Sequence, residues 1–339
     1  MIRFVPSLVC ACVLSLASLE GEEPARAAAF AEESGKRVES KPSVRGDDDD
    51  WLFLVQELRH LSKNRFWESS WEEVAANQGD PVASMLEFHG LLEEKGVSLI
   101  LVPIPAKARI YPEKLDLDFQ SGDPASLQPF CERLRESGLT VLDCDTRFRE
   151  ARNAEDGPSL YCAQDAHYSP RAIELVADWI AAELGVEAGE GSSIRRSEET
   201  TLEIIGDQVV GSEWEGKIPQ ESLIMTPVLE NETLGVNPDR ESPYLLMGDS
   251  HTLVFQAGKE AGMHCRGAGL SDHLSERLGQ AVDLVGVRGS GMVQARKQLY
   301  FRATSEPGFW ERKKVVIWVF SEREWTQSTD RLLSIPLDR

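Results

Sequence analysis

Short apolar runs alternate with longer amphipathic segments through most of the chain. The apolar runs are rich in Val, Ile and Leu and are short enough to be buried strands, whereas the amphipathic segments predict helices. The predicted strands are Val97–Val102, Leu139–Asp143, Ser159–Cys162, Tyr244–Met247, Val282–Val287 and Lys313–Phe320, and the predicted helices include Val82–Lys95, Pro124–Ser137, Thr146–Ala154, Ser169–Leu184, Thr252–Ala261 and Leu274–Ala281. Strands that alternate with helices predict an α/β fold whose parallel sheet is covered on both faces.

Three stretches depart from this alternation. Residues 187–241 are rich in Gly, Ser, Thr and Glu and contain short alternating pieces, which predicts a β-rich insertion. Residues 28–50 are polar and end in four consecutive aspartates, which predicts a disordered linker. Residues 103–112 contain three prolines and predict a loop after a strand. The main folded domain is therefore expected over residues 51–330.

The first 27 residues have the pattern of a signal peptide. Arg3 precedes an apolar run, and Ala25-Arg-Ala27 offers a cleavage site with small residues. An uncleaved anchor is the alternative, although the apolar run is shorter than the roughly 20 residues that span a bilayer. The sequence thus predicts export, with a periplasmic location for the mature chain.

Composition narrows the classes of partner. The formal net charge of −21 argues against nucleic acid or an anionic membrane surface as a partner. Four cysteines lie beyond the leader, and they either pair or remain buried thiols; they are Cys131, Cys144, Cys162 and Cys265. Their spacing indicates no metal site, and no phosphate loop or dinucleotide glycine motif predicts a cofactor.

The candidate nucleophile is Ser250. It follows the apolar run Tyr244–Met247 and the turn residue Gly248, and it precedes a predicted helix. A serine at such a strand-to-helix turn lies at the carboxyl edge of a parallel sheet, where helix N–H groups can donate hydrogen bonds to developing negative charge. This position suits a nucleophile.

The candidate activating pair is Asp165 and His167, which precede the predicted helix Ser169–Leu184. An imidazole can take the serine proton while a carboxylate fixes its tautomer. Lys107, in the 103–112 loop, is expected at the same sheet edge, either as a substrate contact or as a solvated charge. Arg288, Gly289 and Ser290 follow another predicted strand and either approach a ligand or form a plain turn. The site candidates at this edge are Lys107, Asp165, His167, Ser250, Arg288, Gly289 and Ser290.

Several of these stretches together resemble the alginate O-acetyltransferase family of AlgX and AlgJ. The stretches are Trp51-Leu-Phe-Leu, Glu57-Leu-Arg59, Pro103–Pro112, Asp165-x-His167, Gly248-Asp-Ser250 and Ile317–Arg323. The resemblance implies an SGNH-hydrolase-like three-layer α/β/α domain. It also implies Ser250 as the acetylated nucleophile, His167 as general base and Asp165 as the group that orients it.

The resemblance further implies an exported enzyme that acetylates hydroxyls of a polysaccharide acceptor, with a membrane-bound O-acyltransferase as the acetyl donor partner. The sequence departs from the SGNH pattern in one respect, since no asparagine follows Ser250. Arg288, Gly289 and Ser290 are the nearest match to the family's arginine- and glycine-containing loop and are the expected oxyanion or substrate contacts.

Two other functions are compatible with these residues. A carbohydrate esterase or deacetylase would use the same triad with water as acceptor, because transfer and hydrolysis share an acyl-enzyme. A non-catalytic polysaccharide-assembly protein would retain the fold without turnover. The identity of the glycan does not follow from the residues, and alginate enters only through the resemblance.

Overall fold

A five-stranded parallel sheet forms the centre of the protein in this computed structural model, which describes residues 10–48, 50–70, 73, 80–116, 124–154, 157–186, 192–289, 291–327 and 334–338. The strands are β1 (Ser43–Arg45), β2 (Leu52–Leu54), β3 (Ser98–Ile104), β4 (Thr140–Val141), β5 (Ile194–Arg196), β6 (Thr200–Ile204), β7 (Glu221–Met225), β8 (Val228–Glu230), β9 (Thr233–Leu234), β10 (Tyr244–Gly248), β11 (Asp283–Gly286) and β12 (Val315–Ser321). The α-helices are α1 (Cys10–Lys36), α2 (Val55–Leu61), α3 (Pro81–Glu94), α4 (Lys107–Ile110), α5 (Pro112–Leu115), α6 (Gln128–Glu136), α7 (Cys144–Asn153), α8 (Pro170–Leu184), α9 (Leu270–Leu278), α10 (Met292–Ser305), α11 (Phe309–Arg312) and α12 (Glu324–Gln327).

The central sheet has the strand order β11-β10-β12-β3-β4, and its paired strands all run parallel. Gly248 of β10 lies opposite Gly286 of β11 on one side and opposite Val319 of β12 on the other. The segments that follow β10, β11, β12 and β3 therefore leave the sheet at one common edge. In open α/β sheets this carboxyl edge is where ligands bind.

Both faces of the sheet are buried against helices, because alternate residues of each strand point to opposite faces. In β3, Ile100 and Val102 pack in the core that includes α2, α8 and α9, whereas Leu99 and Leu101 pack in the core that includes α3, α6 and α10. Full burial of each such aliphatic side chain contributes about 2 kcal/mol to stability. The predicted three-layer α/β/α fold is confirmed.

The helix that follows the candidate base has well-defined ends. The Ser169 side chain accepts a hydrogen bond from Ala172 N, and Pro170 occupies the first turn of α8. The helix ends at Gly185, which adopts φ 63°. Because Ser169 caps α8, the position of His167, two residues earlier, is fixed relative to the start of the helix.

Two of the elements predicted near the site, one strand and one helix, do not form in the structure. Ser159–Cys162 does not join the parallel sheet, since Leu160 N and Tyr161 N donate instead to the side-chain oxygens of Tyr111 and Ser159. Among the described residues, this segment forms one antiparallel bridge, between Tyr161 and Tyr168. Local side-chain acceptors thus compete with the sheet for the backbone donors.

The helix predicted over Thr252–Ala261 is also absent from the structure. Two 3₁₀ turns, Ser250–Thr252 and Lys259–Ala261, occupy its place. Phe255 and Gly258 between them adopt φ values of 57° and 90°. These left-handed conformations interrupt any regular right-handed helix.

The segments predicted as linker and loop are more ordered than expected. Helix α1 continues to Lys36, and β1 pairs antiparallel with β2, so the prediction of a disordered linker over residues 28–50 is wrong. The apolar side chains of Phe30 and Val44 explain this, because they are buried in the core. Residues 103–112 likewise form the end of β3 and the helix α4 rather than a loop.

Helix α1 also runs without a break across the cleavage site predicted at Ala27, whose side chain is buried. The described part of the chain contains no helix with the combined length and apolarity needed to cross a membrane. Signal-peptide cleavage remains a prediction. The predicted β-rich insertion is present, and it carries β5 to β9.

Candidate active site

The candidate nucleophile lies directly after β10, in a tight turn against β12. Gly248 is required here because a Cβ on it would lie 1.9 Å from the carbonyl oxygen of Val319. Asp249 then accepts hydrogen bonds from His251 N and from Ser321 N, each at 2.9 Å. Ser250 thus directly follows a residue that is tied to β12, and it is half-buried.

His167 bridges the serine and the aspartate. The Ser250 hydroxyl lies 2.7 Å from His167 Nε2, and His167 Nδ1 lies 2.6 Å from Asp165 Oδ1. Asp165 Oδ1 also accepts from His167 N at 2.9 Å. Since the carboxylate holds Nδ1–H, Nε2 is left to accept the serine proton. The structure brings together all three residues that the sequence predicted for this chemistry.

The second oxygen of Asp165 is also occupied. Asp165 Oδ2 accepts hydrogen bonds from Asp207 N at 2.9 Å and from His264 Nε2 at 2.8 Å. Burial alone would raise the pKa of Asp165, but the charges and hydrogen bonds of His167 and His264 lower it well below its ordinary value. Asp165 therefore stays ionised and keeps its orienting charge.

That charge dominates the titration of the histidine. Burial alone would lower the pKa of His167, but the charge and hydrogen bond of Asp165 outweigh burial and raise it above the ordinary value. The neutral imidazole that accepts a proton is consequently favoured at alkaline pH.

Lys107 supports the segment that carries Asp165 and His167 rather than contacting substrate. It is fully buried, and its Nζ donates to the carbonyl oxygens of Cys162, Ala163 and Asp165 at 2.9 to 3.0 Å. The prediction that Lys107 is a substrate contact or a solvated loop charge is therefore wrong. The sequence could not show that three carbonyls of a distant segment would satisfy this ammonium.

The β-rich insertion supports the same loop from the other side. Glu221 of β7 accepts hydrogen bonds from Ala163 N at 2.7 Å and from Gln164 N at 2.9 Å. Gly206 permits the close approach, because a Cβ there would lie 2.0 Å from the carbonyl oxygen of Gln164. The insertion therefore contributes residues that hold the site together.

A second aspartate–histidine pair lies beside the first. His251 Nδ1 donates to Asp249 Oδ1 at 2.8 Å, and the His251 ring stacks on Tyr168 and meets the ring of His167 edge to face, with centroids 5.0 Å apart. Burial lowers the pKa of His251 in spite of the nearby Asp249 charge. His251 is therefore neutral under conditions in which His167 is charged.

A cavity of about 300 Å³ opens in front of these groups. Its walls include Ser250, His167, Arg288, Gly289 and Arg323. Arg288 is exposed and donates to the carbonyl oxygen of Ala261 at 2.6 Å. Ser290 lies outside the described residues, so the oxyanion role expected of residues 288–290 remains a prediction.

Three of the site residues have donor atoms close enough to share a cation. Oxygen or nitrogen atoms of Asp165, His167 and Asp207 lie within 4.8 Å of one another. His167 Nδ1 already bonds to Asp165 Oδ1, so a cation bound by all three residues through this nitrogen would have to replace the proton between them. The cysteines Cys131, Cys144, Cys162 and Cys265 are free thiols in the structure.

Several residues of the site were not identified from the sequence. His251 was detectable, because Asp249-Ser250-His251 repeats the spacing of Asp165-x-His167. His264 and Asp207 follow no motif, and they reach Asp165 only because separate loops converge on it. Arg323 lay within a stretch used for the family resemblance, but nothing in the stretch indicated that its side chain lines the cavity.

These features define a class of protein: a three-layer α/β/α domain with a serine, a histidine and an aspartate joined at the carboxyl edge of its sheet, as in SGNH-hydrolase-like proteins. The family model described as "SGNH hydrolase-like domain, acetyltransferase AlgX" matches residues 44–322. The chain belongs to this family, and the resemblance found in the sequence is confirmed.

Similar proteins agree with this assignment. A probable alginate O-acetylase AlgJ from Pseudomonas aeruginosa is 31% identical over 147 residues, which are 43% of this chain and 34% of that protein. The matched region thus spans about a third of that relative's length. The AlgJ of Azotobacter vinelandii, with the same description, is 26% identical over 148 residues, which are 42% of this chain and 34% of that protein.

Two solved structures share the fold. The O-acetyltransferase domain of Pseudomonas putida AlgJ superposes with a TM-score of 0.61 at 20% identity, covering 86% of this chain and 94% of that domain. Pseudomonas aeruginosa AlgX superposes with a TM-score of 0.57 at 17% identity, covering 90% of this chain and 67% of that chain. At these identities the likeness is one of fold.

Proposed function

We propose that this protein is an exported polysaccharide O-acetyltransferase that works through an acetyl-Ser250 intermediate. The observation that carries the proposal is the continuous hydrogen-bonded chain from Ser250 through His167 to Asp165. Membership of the AlgX family and the similarity to proteins described as probable alginate O-acetylases support transfer to a glycan.

In the first half-reaction, Ser250 Oγ attacks the carbonyl carbon of an acetyl donor. His167 Nε2 takes the hydroxyl proton as the Oγ–carbon bond forms, and Asp165 stabilises the resulting imidazolium. The carbonyl electron pair moves to oxygen and then returns as the bond to the donor oxygen breaks. That oxygen leaves with the proton held by His167, which leaves acetyl-Ser250.

In the second half-reaction a sugar hydroxyl repeats these steps in reverse. His167 removes the proton of the hydroxyl while its oxygen attacks the acetyl carbon. The bond to Ser250 Oγ then breaks, and the proton passes from His167 to the serine. The products are an O-acetylated sugar and the free enzyme.

The acceptor has a place to bind beside the catalytic cavity. A second cavity of about 530 Å³ adjoins it, and the two share Asp207, Gly262, His264 and Arg288 in their walls. Ile204, Ile205 and Val210 of the insertion give the second cavity an apolar side. Apolar walls with a few polar groups suit the C–H faces and hydroxyls of sugar rings.

Replacing Ile205 tests this acceptor site. Ile205→Asp is expected to raise the KM for the glycan about ten-fold, with the rate of Ser250 acetylation unchanged, because a lost apolar contact weakens binding by about 1–3 kcal/mol. Steady-state kinetics with increasing glycan concentration measure the change. Ile224→Asp is the matched control, since Ile224 on β7 is 45% exposed against 46% for Ile205 but lies outside this cavity. Equal KM values for both variants would contradict the site.

Replacing His264 tests the support of the triad. His264→Gln is expected to lower kcat by about ten- to a hundred-fold, because Asp165 loses a hydrogen bond that positions it and small misplacements of catalytic groups are costly. The acetylation rate of Ser250 is measured directly. His89→Gln, on α3, removes a histidine that pairs only loosely with Glu93 at 3.6 Å and serves as control. A His264→Gln enzyme with the original kcat would exclude this role.

Transfer and hydrolysis are separated by the acceptor. With a chromogenic acetyl ester as donor, we expect release of the chromophore to accelerate when glycan is added, and the acetyl group to appear on the glycan by mass spectrometry. Free acetate as the sole product, at a rate independent of glycan, would favour the esterase alternative. Glycan binding without any turnover would favour a non-catalytic assembly protein.

Export and the donor partner form part of the same proposal. The leader pattern of residues 1–27 supports a periplasmic location, and the family resemblance supports a membrane-bound O-acyltransferase that supplies acetyl groups. Amino-terminal sequencing of the protein recovered from periplasm is expected to start near residue 28. A full-length protein retained in the cytoplasm would contradict export.

A further inference from the structure

Acyl transfer places negative charge on the carbonyl oxygen in the transition state, and enzymes stabilise it with fixed hydrogen-bond donors. The backbone N–H of Ser250 belongs to the nucleophile itself and lies close to any oxyanion formed on it. A further donor is needed, and the three-residue 3₁₀ turn at Ser250 is too short to supply a helix dipole. The sequence also has no asparagine after Ser250.

Arg323 has the properties that such a donor requires. It follows β12, so it lies at the same sheet edge as Ser250, and it lines the same cavity. Its side chain is only 16% exposed. Within the described residues its recorded ion pair is with Glu324 Oε1, at 3.7 Å from Nε, a separation longer than a hydrogen bond.

The carboxylates near Arg323 are engaged elsewhere. Glu322 accepts a bifurcated hydrogen bond from Arg109 Nε, at 2.8 and 2.9 Å from its two oxygens, and a second bond from Ala106 N. Asp249 accepts from His251 and from Ser321 N. Glu57 accepts from Lys107 N at 3.3 Å, and the nearby charge of Arg323 opposes the rise that burial causes in its pKa. Within the described residues no carboxylate lies within hydrogen-bond distance of the Arg323 guanidinium, which is largely buried in the cavity that contains the proposed nucleophile.

Arg288 is less suited to the role, although it lines the same cavity. Its side chain is exposed, and its guanidinium already donates to the carbonyl oxygen of Ala261 at 2.6 Å. It also borders the neighbouring acceptor cavity. Arg323 is less exposed to solvent than Arg288 and has fewer hydrogen-bond partners among the described residues. It would therefore interact more strongly with an oxyanion, because a low dielectric strengthens the attraction.

We propose that Arg323 is the side-chain oxyanion donor of this site. Its guanidinium donates to the carbonyl oxygen of the acetyl group as Ser250 Oγ adds, and holds the tetrahedral oxyanion until the leaving oxygen departs. No proton is transferred by Arg323, which remains charged throughout. This inference rests on the proposed function of Ser250 as an acetylated nucleophile.

Acetylation of Ser250 by 4-nitrophenyl acetate, followed by stopped flow without glycan, tests the proposal. Arg323→Met is expected to slow the acetylation burst by about 10²- to 10³-fold, as removal of one oxyanion donor does in other acyl-transfer enzymes. Arg323→Lys should recover part of the loss, because it keeps the charge without the planar donor set. The concentration of ester that gives half-maximal rate should change little, since the ground-state carbonyl is neutral.

Methylboronic acid provides a second measurement, because its adduct with Ser250 is a tetrahedral anion. Its dissociation constant, measured by calorimetry, should rise by about 10²-fold in Arg323→Met if the lost donor had stabilised the anion. Arg59→Met, at an exposed site on α2 outside the cavity, controls for loss of an arginine. Circular dichroism identifies variants that fail to fold, and Arg323→Lys then carries the comparison.

The outcomes separate the two proposals. A wild-type enzyme that gives no burst, like Ser250→Ala, would overturn the proposed function. A normal wild-type burst with an equal burst in folded Arg323→Met or Arg323→Lys would overturn the oxyanion role alone. An unchanged burst with a raised KM for acidic but not neutral glycan would assign Arg323 to a substrate carboxylate and would also overturn it.

Discussion

Ser250→Ala is expected to abolish acetyl transfer, with a fall in kcat of at least about 10⁴-fold. The alanine removes the oxygen that carries the acetyl group, so neither half-reaction can proceed through the intermediate, and removal of a nucleophilic serine has effects of this size or larger. Transfer of acetyl from a chromogenic ester to glycan measures the loss. Mass spectrometry of the wild-type enzyme mixed with donor should show one acetyl group on the peptide that contains Ser250.

The control for this variant is Ser305→Ala, which removes an exposed serine at the end of α10 whose hydroxyl donates to the carbonyl oxygen of Arg302. It should transfer acetyl at the original rate. A Ser250→Ala enzyme that retains full activity, or an acetyl adduct found on another residue, would show that Ser250 is not the nucleophile.

Asp165→Asn is expected to lower kcat by about 10⁴-fold. The amide keeps the size of the carboxylate but removes the charge that fixes the tautomer of His167 and stabilises its imidazolium, and the equivalent change in a serine protease triad has this magnitude. Steady-state kinetics of acetyl transfer measure it. Asp178→Asn, which removes a surface charge paired with Arg277 at 2.8 Å, provides the control and should retain activity.

The pH profile gives this variant a second readout. In the wild type the charge of Asp165 raises the pKa of His167, so the active neutral imidazole forms only as the pH rises above the ordinary histidine range. Without that charge, burial lowers the pKa against only the weaker opposing charges of Asp207 and Asp249, and the acid limb of kcat/KM should move to lower pH. A limb that stays in place in Asp165→Asn would mean that another group controls the titration of the base.

The parts of the site that could be predicted from sequence follow local patterns. Ser250 was found because an apolar run, a glycine and a polar turn mark the carboxyl end of a buried strand. Asp165 and His167 were predicted because an Asp-x-His pair stands directly before a predicted helix, and their spacing also lets one carboxylate oxygen bind both the backbone and the ring of the histidine in the structure. Period and turn chemistry also predicted the strands of the central sheet, apart from the segment Ser159–Cys162.

The parts that were not predicted depend on contacts between distant segments. His264 reaches Asp165 across 99 positions of sequence, and Asp207 reaches it across 42. The sequence predicts Lys107 as a substrate contact or a solvated charge because no local pattern shows that carbonyls from residues 162 to 165 surround it. The helix predicted over Thr252–Ala261 does not form because Phe255 and Gly258 adopt left-handed conformations, which tertiary packing sets and the local sequence does not show.

Ser250 and His167 are anchored to different parts of the protein. Ser250 is attached to the central sheet through Asp249, whereas Asp165 and His167 sit on a segment outside that sheet, fastened by Lys107 and by Glu221 and Asp207 of the insertion. The separation of Ser250 and His167 therefore depends on how the insertion packs beside the sheet. Substitutions that weaken the bonds of Glu221 or Asp207 are expected to displace the imidazole while the serine keeps its place after β10.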